Sequence, residues 1–160
     1  MNTQTLFSRN NIYHALCHLV DASDEFSKWW LEEDRGINSV SFLKEFKTIK
    51  CGSARRSGHT YAALAFCQDR FKRSLFICPH RIHTINLAKT VKKLEFDSDS
   101  FVFASVDDAK KMDFNESMNF EAIVFDMSTF ISNEVFDYFY KIFGNLSISF
   151  DKLPLFIIME

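Results

Sequence analysis

Glycine and proline are scarce in this chain, whose 160 residues contain only four glycines and two prolines. A composition so poor in these residues argues against long disordered segments and flexible linkers. The sequence also lacks any apolar run that approaches the ~20 residues needed to span a bilayer. Its first residues, MNTQTLFSRN, lack the apolar stretch of a secretory signal. These absences predict a cytoplasmic protein that has no membrane among its partners.

The four cysteines contain no C-x-x-C pair and no spacing typical of a disulfide framework. Three of them lie in apolar segments, which predicts reduced and mostly buried thiols, as in a cytosolic protein. Cys78, His80 and His83 are close in sequence, but their spacing matches no zinc motif well. We therefore interpret these three side chains as core or surface residues.

The net charge of −2 hides an uneven distribution of charge along the chain. Residues 44–93 carry twelve basic and two acidic side chains, whereas residues 94–160 carry four basic and thirteen acidic ones. A segment this basic is typical of proteins that bind DNA or RNA. The alternative, which the sequence leaves open, is that the acidic flanks fold against the segment and neutralise it. The candidate nucleic-acid contacts are Arg70, Lys72, Arg73 and Arg81.

Strands and helices alternate along the chain after a helical start. Apolar runs predict strands near residues 46–51, 74–79, 101–106, 119–126 and 153–160, and helical spacing predicts helices near residues 60–71, 85–96 and 132–144. This alternation is typical of an α/β fold with a predominantly parallel sheet of about five strands flanked by helices. Residues 1–45 form a helical N-terminal segment and residues 46–160 the α/β domain. Nineteen phenylalanines favour a Phe-rich core over a base-stacking surface.

Residues 51–60, CGSARRSGHT, are the most informative segment of the chain. This basic loop, which contains Gly52 and Gly58, follows an apolar run and precedes a helix-forming run. A strand, a loop and a helix N-terminus in this order form a cradle for phosphate. In the Walker pattern G-x-x-x-x-G-K-[ST], Thr60 keeps the final hydroxyl, whereas Ser53 replaces the first glycine and His59 replaces the lysine.

A second landmark is Asp126, which follows four apolar residues at the end of a predicted strand. Ligands of open α/β sheets bind at the carboxyl ends of the strands. A carboxylate placed there, beside the hydroxyl of Thr60, can hold Mg²⁺ directly or through water. An apolar run that ends in aspartate is a weak signal alone and gains weight from the loop upstream.

SARRSGHTYAALAF and AIVFDMSTF together resemble the ATPase motifs of the additional-strand P-loop NTPases, including helicases. They are most similar to the large-subunit terminase ATPases of tailed phages. That family tends to begin its Walker loop with serine and arginine. Small residues and an aromatic follow its acidic Walker B pair, as Ser128, Thr129 and Phe130 follow here. The terminal run LFIIME resembles the strand that carries the family's coupling motif.

The resemblance covers roughly residues 46–160 and implies Mg-ATP as the cofactor and a phage or mobile element as the source, which would place the protein in the host cytoplasm. It implies nucleotide binding by Ser53, Arg55, Arg56, Ser57, Gly58, His59, Thr60 and Asp126, of which Thr60 and Asp126 would hold Mg²⁺.

Two departures from the family pattern predict that hydrolysis is lost. His59 stands in place of the phosphate-binding lysine, and Met127 stands in place of the catalytic glutamate. The ordinary pKa of histidine is about 6.5, so His59 is no substitute for a permanent cation at neutral pH. Methionine can neither orient nor deprotonate water. Arg55 and Arg56 can compensate in part, because guanidinium groups bind phosphate in a bidentate manner.

Three functions fit these observations. The first is a non-hydrolysing P-loop domain that binds a nucleic acid or a protein partner. The second is a weak but genuine ATPase that acts on DNA. The third is a protein-interaction or inhibitor scaffold that acts on a host machine. No nuclease domain is expected, and a protein contact or self-association through the segment around Trp29 and Trp30 is the first candidate interaction.

Overall fold

The computed structural model describes residues 3–32, 36–52, 58–115, 118–146 and 149–160, with the backbone alone described for residues 3–9 and 151. Its helices are α1 Thr3–Glu32, α2 Ser39–Phe46, α3 His59–Arg70, α4 Arg81–Lys93, α5 Val106–Ala109 and α6 Asn133–Gly144. Its strands are β1 Thr48–Cys51, β2 Ser74–Cys78, β3 Phe101–Ser105, β4 Ala122–Phe125 and β5 Leu155–Met159.

The five strands form one parallel sheet in the order β1-β5-β4-β2-β3. This confirms the predicted α/β fold with a parallel sheet, flanking helices and a helical N-terminal segment. Strand β5 pairs with β1 on one side, where Thr48 lies opposite Phe156, and with β4 on the other, where Ala122 lies opposite Leu155. It therefore separates the strand before the loop from the strand that Asp126 follows.

The sheet is buried on both faces, as is usual for parallel sheets. In β2, Phe76 and Cys78 pack with α1, α3 and α4, whereas Leu75 and Ile77 pack with α2, α5 and α6. Six of the twelve largest fully buried side chains are phenylalanines: Phe42, Phe66, Phe76, Phe125, Phe139 and Phe156. The predicted Phe-rich core is confirmed, and each of these rings contributes about 1.5–3 kcal/mol by leaving water.

Several predicted boundaries differ from the structure; β4, for example, begins at Ala122 rather than near residue 119, and two of the differences have a local reason. The first strand begins at Thr48, because Phe46 is the last residue of α2 and packs its ring against Trp30 at 4.8 Å. Helix α4 begins at Arg81 rather than near residue 85. The first turn of α4 does not bury its apolar residues, since Ile82 and Ile85 are exposed. The helical spacing of core residues, from which the helix is predicted, therefore does not extend to its start.

The cysteines are as the sequence predicts in burial and pairing. All four are free, and Cys51, Cys67 and Cys78 are buried, whereas Cys17 is half-buried. Burial raises the pKa of the Cys67 thiol to about 12, which keeps it protonated at neutral pH. None of the helices in the described ranges is long and apolar enough to cross a membrane.

Gly144 ends α6, as predicted, and the reason is close packing. A Cβ at this position would lie 2.7 Å from Cγ2 of Val40 and 3.0 Å from its Cα. Helices α2 and α6 therefore approach each other at a point where only a hydrogen fits. The glycine is required by this contact between two helices, since its backbone is not left-handed.

We expect Gly144→Ala to lower the free energy of unfolding by about 1–3 kcal/mol, because the added methyl group overpacks the contact with Val40. Urea denaturation measures the change. Lys141→Ala, on the exposed side of the same helix, is the control and should change stability by less than about 0.5 kcal/mol. Equal stability of Gly144→Ala and the wild type would contradict the close approach of α2 and α6.

Candidate functional site

The loop that the sequence singles out is described only at its ends. Ser53, Arg55, Arg56 and Ser57 lie outside the described residues, so their predicted contacts with phosphate stay predictions. The described part of the predicted site consists of Gly58, His59, Thr60 and Asp126.

Gly58 forms the junction between the loop and α3. Its φ of 82° lies in the left-handed region, which glycine adopts without the steric cost that a Cβ would add. Helix α3 begins at His59, and none of the described side chains caps its N-terminus. The first N–H groups of a helix lack intrahelical acceptors, and the helix dipole favours an anion in front of them. This end of α3 is therefore suited to a phosphate group.

Thr60 and Asp126 meet although the chain separates them by more than sixty residues. The Thr60 hydroxyl donates a hydrogen bond of 2.8 Å to Oδ1 of Asp126. Thr60 lies in the first turn of α3, and Asp126 follows the last residue of β4. The structure thus brings together the loop threonine and the strand-end aspartate, as the two motifs predict.

Asp126 is a buried carboxylate, with only 3% of its surface exposed. Burial raises the pKa of the Asp126 carboxyl above its ordinary value, and the Thr60 hydroxyl and the nearby His59 and His83 oppose this shift. Its main-chain N–H donates to the Ile77 carbonyl at 3.1 Å, which continues the pairing of β4 with β2 beyond the strand end. The sheet pairing therefore fixes the position of Asp126, although burial disfavours its ionised form.

His59 lies against the same carboxylate. Its Nε2 is 3.7 Å from Oδ1 of Asp126, a contact that becomes an ion pair only when the imidazole is protonated. Both ring nitrogens are buried, and neither has a hydrogen-bond partner among the described residues. Buried polar atoms of this kind are ordinarily satisfied by a partner, a water or a ligand. The imidazole thus contributes two unused polar atoms to the site.

Met127, which directly follows Asp126, has a left-handed backbone with φ of 56°. This conformation costs a residue other than glycine about 1–3 kcal/mol, and such residues cluster at functional sites. A short 3-10 helix, Ser128–Phe130, follows Met127 directly. The strain lies at a position that touches the candidate site.

Cys78 and His83 lie near Asp126, which the sequence does not predict. Burial raises the pKa of the Cys78 thiol to about 12, and the Asp126 charge acts in the same direction. The rings of His80 and His83 are 5.7 Å apart. In the part of the chain that the structure describes, no three His, Cys, Asp or Glu side chains are grouped so as to hold a metal ion. The only sequence signal for this neighbourhood is that Cys78, like Asp126, ends an apolar strand.

The predicted nucleic-acid contacts do not form one continuous surface. Lys72 and Arg73 precede β2, whereas Arg81 follows it, so they lie at opposite edges of the sheet. Arg70 forms an ion pair of 3.1 Å with Asp21 of α1. Neutralisation by an acidic flank, the alternative left open by the sequence, thus occurs at Arg70.

The two tryptophans differ in exposure. Trp30 is half-buried and packs with the core on the side of α2, whereas 46% of Trp29 is exposed. Phe26 is 61% exposed, and its ring lies 6.3 Å from that of Trp29. Trp30 therefore contributes to the domain's own core, and the candidate contact surface consists of Trp29 and Phe26.

Comparison of the chain with protein-family models, with curated proteins and with solved structures returned no match.

We expect Asp126→Asn to stabilise the protein at neutral pH by about 1 kcal/mol, within the range usual for single substitutions. The amide oxygen keeps the bond from Thr60 while the buried charge is removed. Because burial raises the pKa of Asp126, the ionised carboxylate costs stability only above the ordinary aspartate pKa of 3.8. The gain should therefore be absent below that pH and increase as the pH rises through the raised pKa.

Thermal unfolding between about pH 3 and pH 8 measures this gain. Asp113→Asn, on an exposed loop, is the control and should show no such increase with pH. A loss of stability in Asp126→Asn at neutral pH would mean that the carboxylate is a net stabilising group.

Proposed function

We propose that the protein is a non-hydrolysing, P-loop-like nucleotide-binding domain. The observation that carries the proposal is the hydrogen bond between Thr60 and Asp126, which joins the helix after the loop to a strand end. A threonine and a buried aspartate in contact at the N-terminal end of α3 are the groups that a Mg-nucleotide site requires. The insertion of β5 between β1 and β4 is compatible with the additional-strand class.

The donor set fits a magnesium ion bound with a nucleotide. Mg²⁺ prefers oxygen ligands, and the Thr60 hydroxyl and the Asp126 carboxylate are oxygen donors that already touch. When bound, the ion would neutralise negative charge on the phosphates. The N-terminal turn of α3 would hold a phosphate through main-chain N–H groups, and the bound ion would place a positive charge beside buried Asp126.

Hydrolysis is not expected, because the groups that drive it are missing. Phosphoryl transfer needs positive charge at the terminal phosphates and an oriented water. His59 is placed beside Asp126, where the family pattern has a lysine, and Met127 has no atom that can accept a proton from water. Binding without turnover suits a domain that uses a nucleotide to stabilise one conformation. Free thiols and the sequence features favour the cytoplasm, or the host cytoplasm for a phage protein.

The aromatic patch formed by Phe26 and Trp29 supports a protein contact as a second part of the proposal, and we assign it to a second copy of the chain. Exposed apolar clusters usually mark contact sites. Glu25 and Lys28 flank the patch with opposite charges. In a twofold-symmetric pair, a residue that contacts a second residue of the other copy is matched by the reverse contact, so Glu25 of each copy would pair with Lys28 of the other.

Calorimetry with ATP and Mg²⁺ tests nucleotide binding. We expect the wild type to bind and Thr60→Val and Asp126→Ala to bind at least about tenfold more weakly, because each removes a polar contact to a charged ligand. Thr90→Val is the matched control, since among the described residues its hydroxyl bonds the Asn86 carbonyl on the surface of α4 and lies away from the site. No binding by the wild type would refute the proposal.

Phosphate release in the same samples should not exceed that of buffer, and His59→Lys should not restore it while Met127 remains. Steady release that disappears in Asp126→Ala would instead show the weak ATPase.

Light scattering over a range of concentrations tests the contact between copies. We expect the double variant Phe26→Ser/Trp29→Ser to weaken self-association at least about tenfold, because central aromatic residues carry most interface energy. Ile82→Ser, at an exposed residue of α4, is the control and should leave association unchanged. A wild type that stays monomeric at the highest concentration would exclude this part of the proposal.

A further inference from the structure

A groove of about 700 Å³ lies at the amino-terminal edge of the sheet, where the chain enters the strands. Lys47 precedes β1, Lys72 and Arg73 precede β2, and Glu121 precedes β4, and all four line the groove. Its volume is within the ~300–1,000 Å³ range of ligand pockets. Asp126 and Thr60 lie at the opposite, carboxyl-terminal edge, so the groove is separate from the site described above.

The groove carries an excess of positive charge that the described residues do not neutralise. Lys47 is paired with Asp24 at 3.0 Å. By contrast, Lys72, Arg73 and Lys152 have no ion pair with any side chain in the described ranges. These three cations come from two separate loops and line one cavity. Such convergence on a concave surface favours an anionic ligand.

Glu121 offsets one of these three positive charges, which leaves the groove with an excess of two, and the backbone holds its carboxylate in place. Its Oε2 accepts the main-chain N–H of Lys72 at 2.7 Å, and its own N–H donates to the Arg73 carbonyl at 2.9 Å. These two bonds fasten the segment before β2 to the segment before β4. The floor of the groove is thus held in place before any ligand arrives.

Arg73 and the aromatic residues give the groove a flat, partly apolar side. The guanidinium lies over the Phe120 ring, 5.2 Å from its centroid. Its Nε is buried and has no acceptor in the described part of the chain. Phe71, half-buried, lines the groove beside it. A stacked guanidinium is suited both to bidentate contact with phosphate and to stacking against a planar ring.

We propose that this groove binds a ligand that combines a phosphate group with a planar aromatic ring, as every nucleotide does. Lys72, Arg73 and Lys152 hold the phosphate, and Phe71 and the Arg73–Phe120 pair contact the ring. The ligand reaches the groove either as a free monophosphate or as part of a single strand of nucleic acid. The proposal does not depend on nucleotide binding at the opposite edge.

The test uses two probes, a short fluorescein-labelled oligothymidine followed by anisotropy and phenyl phosphate followed by calorimetry, both at about 20 mM salt. The variant Lys72→Gln/Lys152→Gln removes two exposed cations of the groove and leaves the Arg73–Phe120 contact intact. Lys92→Gln/Lys93→Gln, exposed at the end of α4, changes the charge equally elsewhere. Arg73→Lys keeps the charge and removes the bidentate fork.

We expect the groove variant to bind at least about tenfold more weakly than the wild type, and Arg73→Lys to bind more weakly too. The control should bind as the wild type does. Binding of oligothymidine alone identifies a strand, and binding of phenyl phosphate alone identifies a free monophosphate. For the strand, the plot of log affinity against log salt should be less steep for the groove variant than for the wild type. The magnitude of the slope should be smaller by about 1.4, or about 0.7 for each lost contact.

Failure of both probes to bind, or an equal loss in the groove and control variants, overturns the proposal. ATP calorimetry keeps the two sites distinguishable. The groove variant should bind Mg-ATP like the wild type, and Thr60→Val should bind the groove probes like the wild type. A negative result for one of the two sites therefore does not affect the interpretation of binding at the other.

Discussion

The pairing of β5 with both of its neighbours is the interaction on which the rest of the structure depends. Strand β1 leads into the loop, Asp126 directly follows β4, and the sheet joins these two strands through β5. All five residues of β5 are buried. The apolar strand Leu155–Met159 thus sets the distance between the two halves of the candidate site, although none of its side chains takes part in the chemistry.

The candidate site brings together several features that lower the stability of the folded chain. Asp126 is a charge with little exposure, Met127 has a left-handed backbone, and His59 brings buried nitrogens that no described residue satisfies. Each feature lowers stability, and all three adjoin the Thr60–Asp126 hydrogen bond. Cores tend to exclude such features, whereas binding sites accumulate them, because a ligand can compensate the cost when it arrives.

The sequence predicts what depends on local patterns. Apolar runs mark the strands, because a parallel sheet buries both of its faces, and the two motifs correctly pair Thr60 with Asp126. It does not predict that β5 inserts between β1 and β4, since strand order depends on packing across the whole sheet. The groove is hidden for a similar reason: Lys72 and Lys152 are eighty residues apart in sequence and meet only in the fold. By contrast, Arg81 is close to Arg73 in sequence but lies at the carboxyl-terminal end of the strands, away from the groove.

The register of β1 against β5 also constrains the order of folding. Thr48 and its partner Phe156 are more than a hundred residues apart in the chain, whereas β2, β3 and β4 come from one continuous stretch. Contacts between distant residues form slowly, because a long loop must close first. During synthesis, β1 therefore stays unpaired until β5, the last strand, has been made. The apolar residues of α1 and α3 that pack near β1 are exposed to other chains during this time. Misassembly would therefore begin at β1, the outermost strand on this side of the sheet.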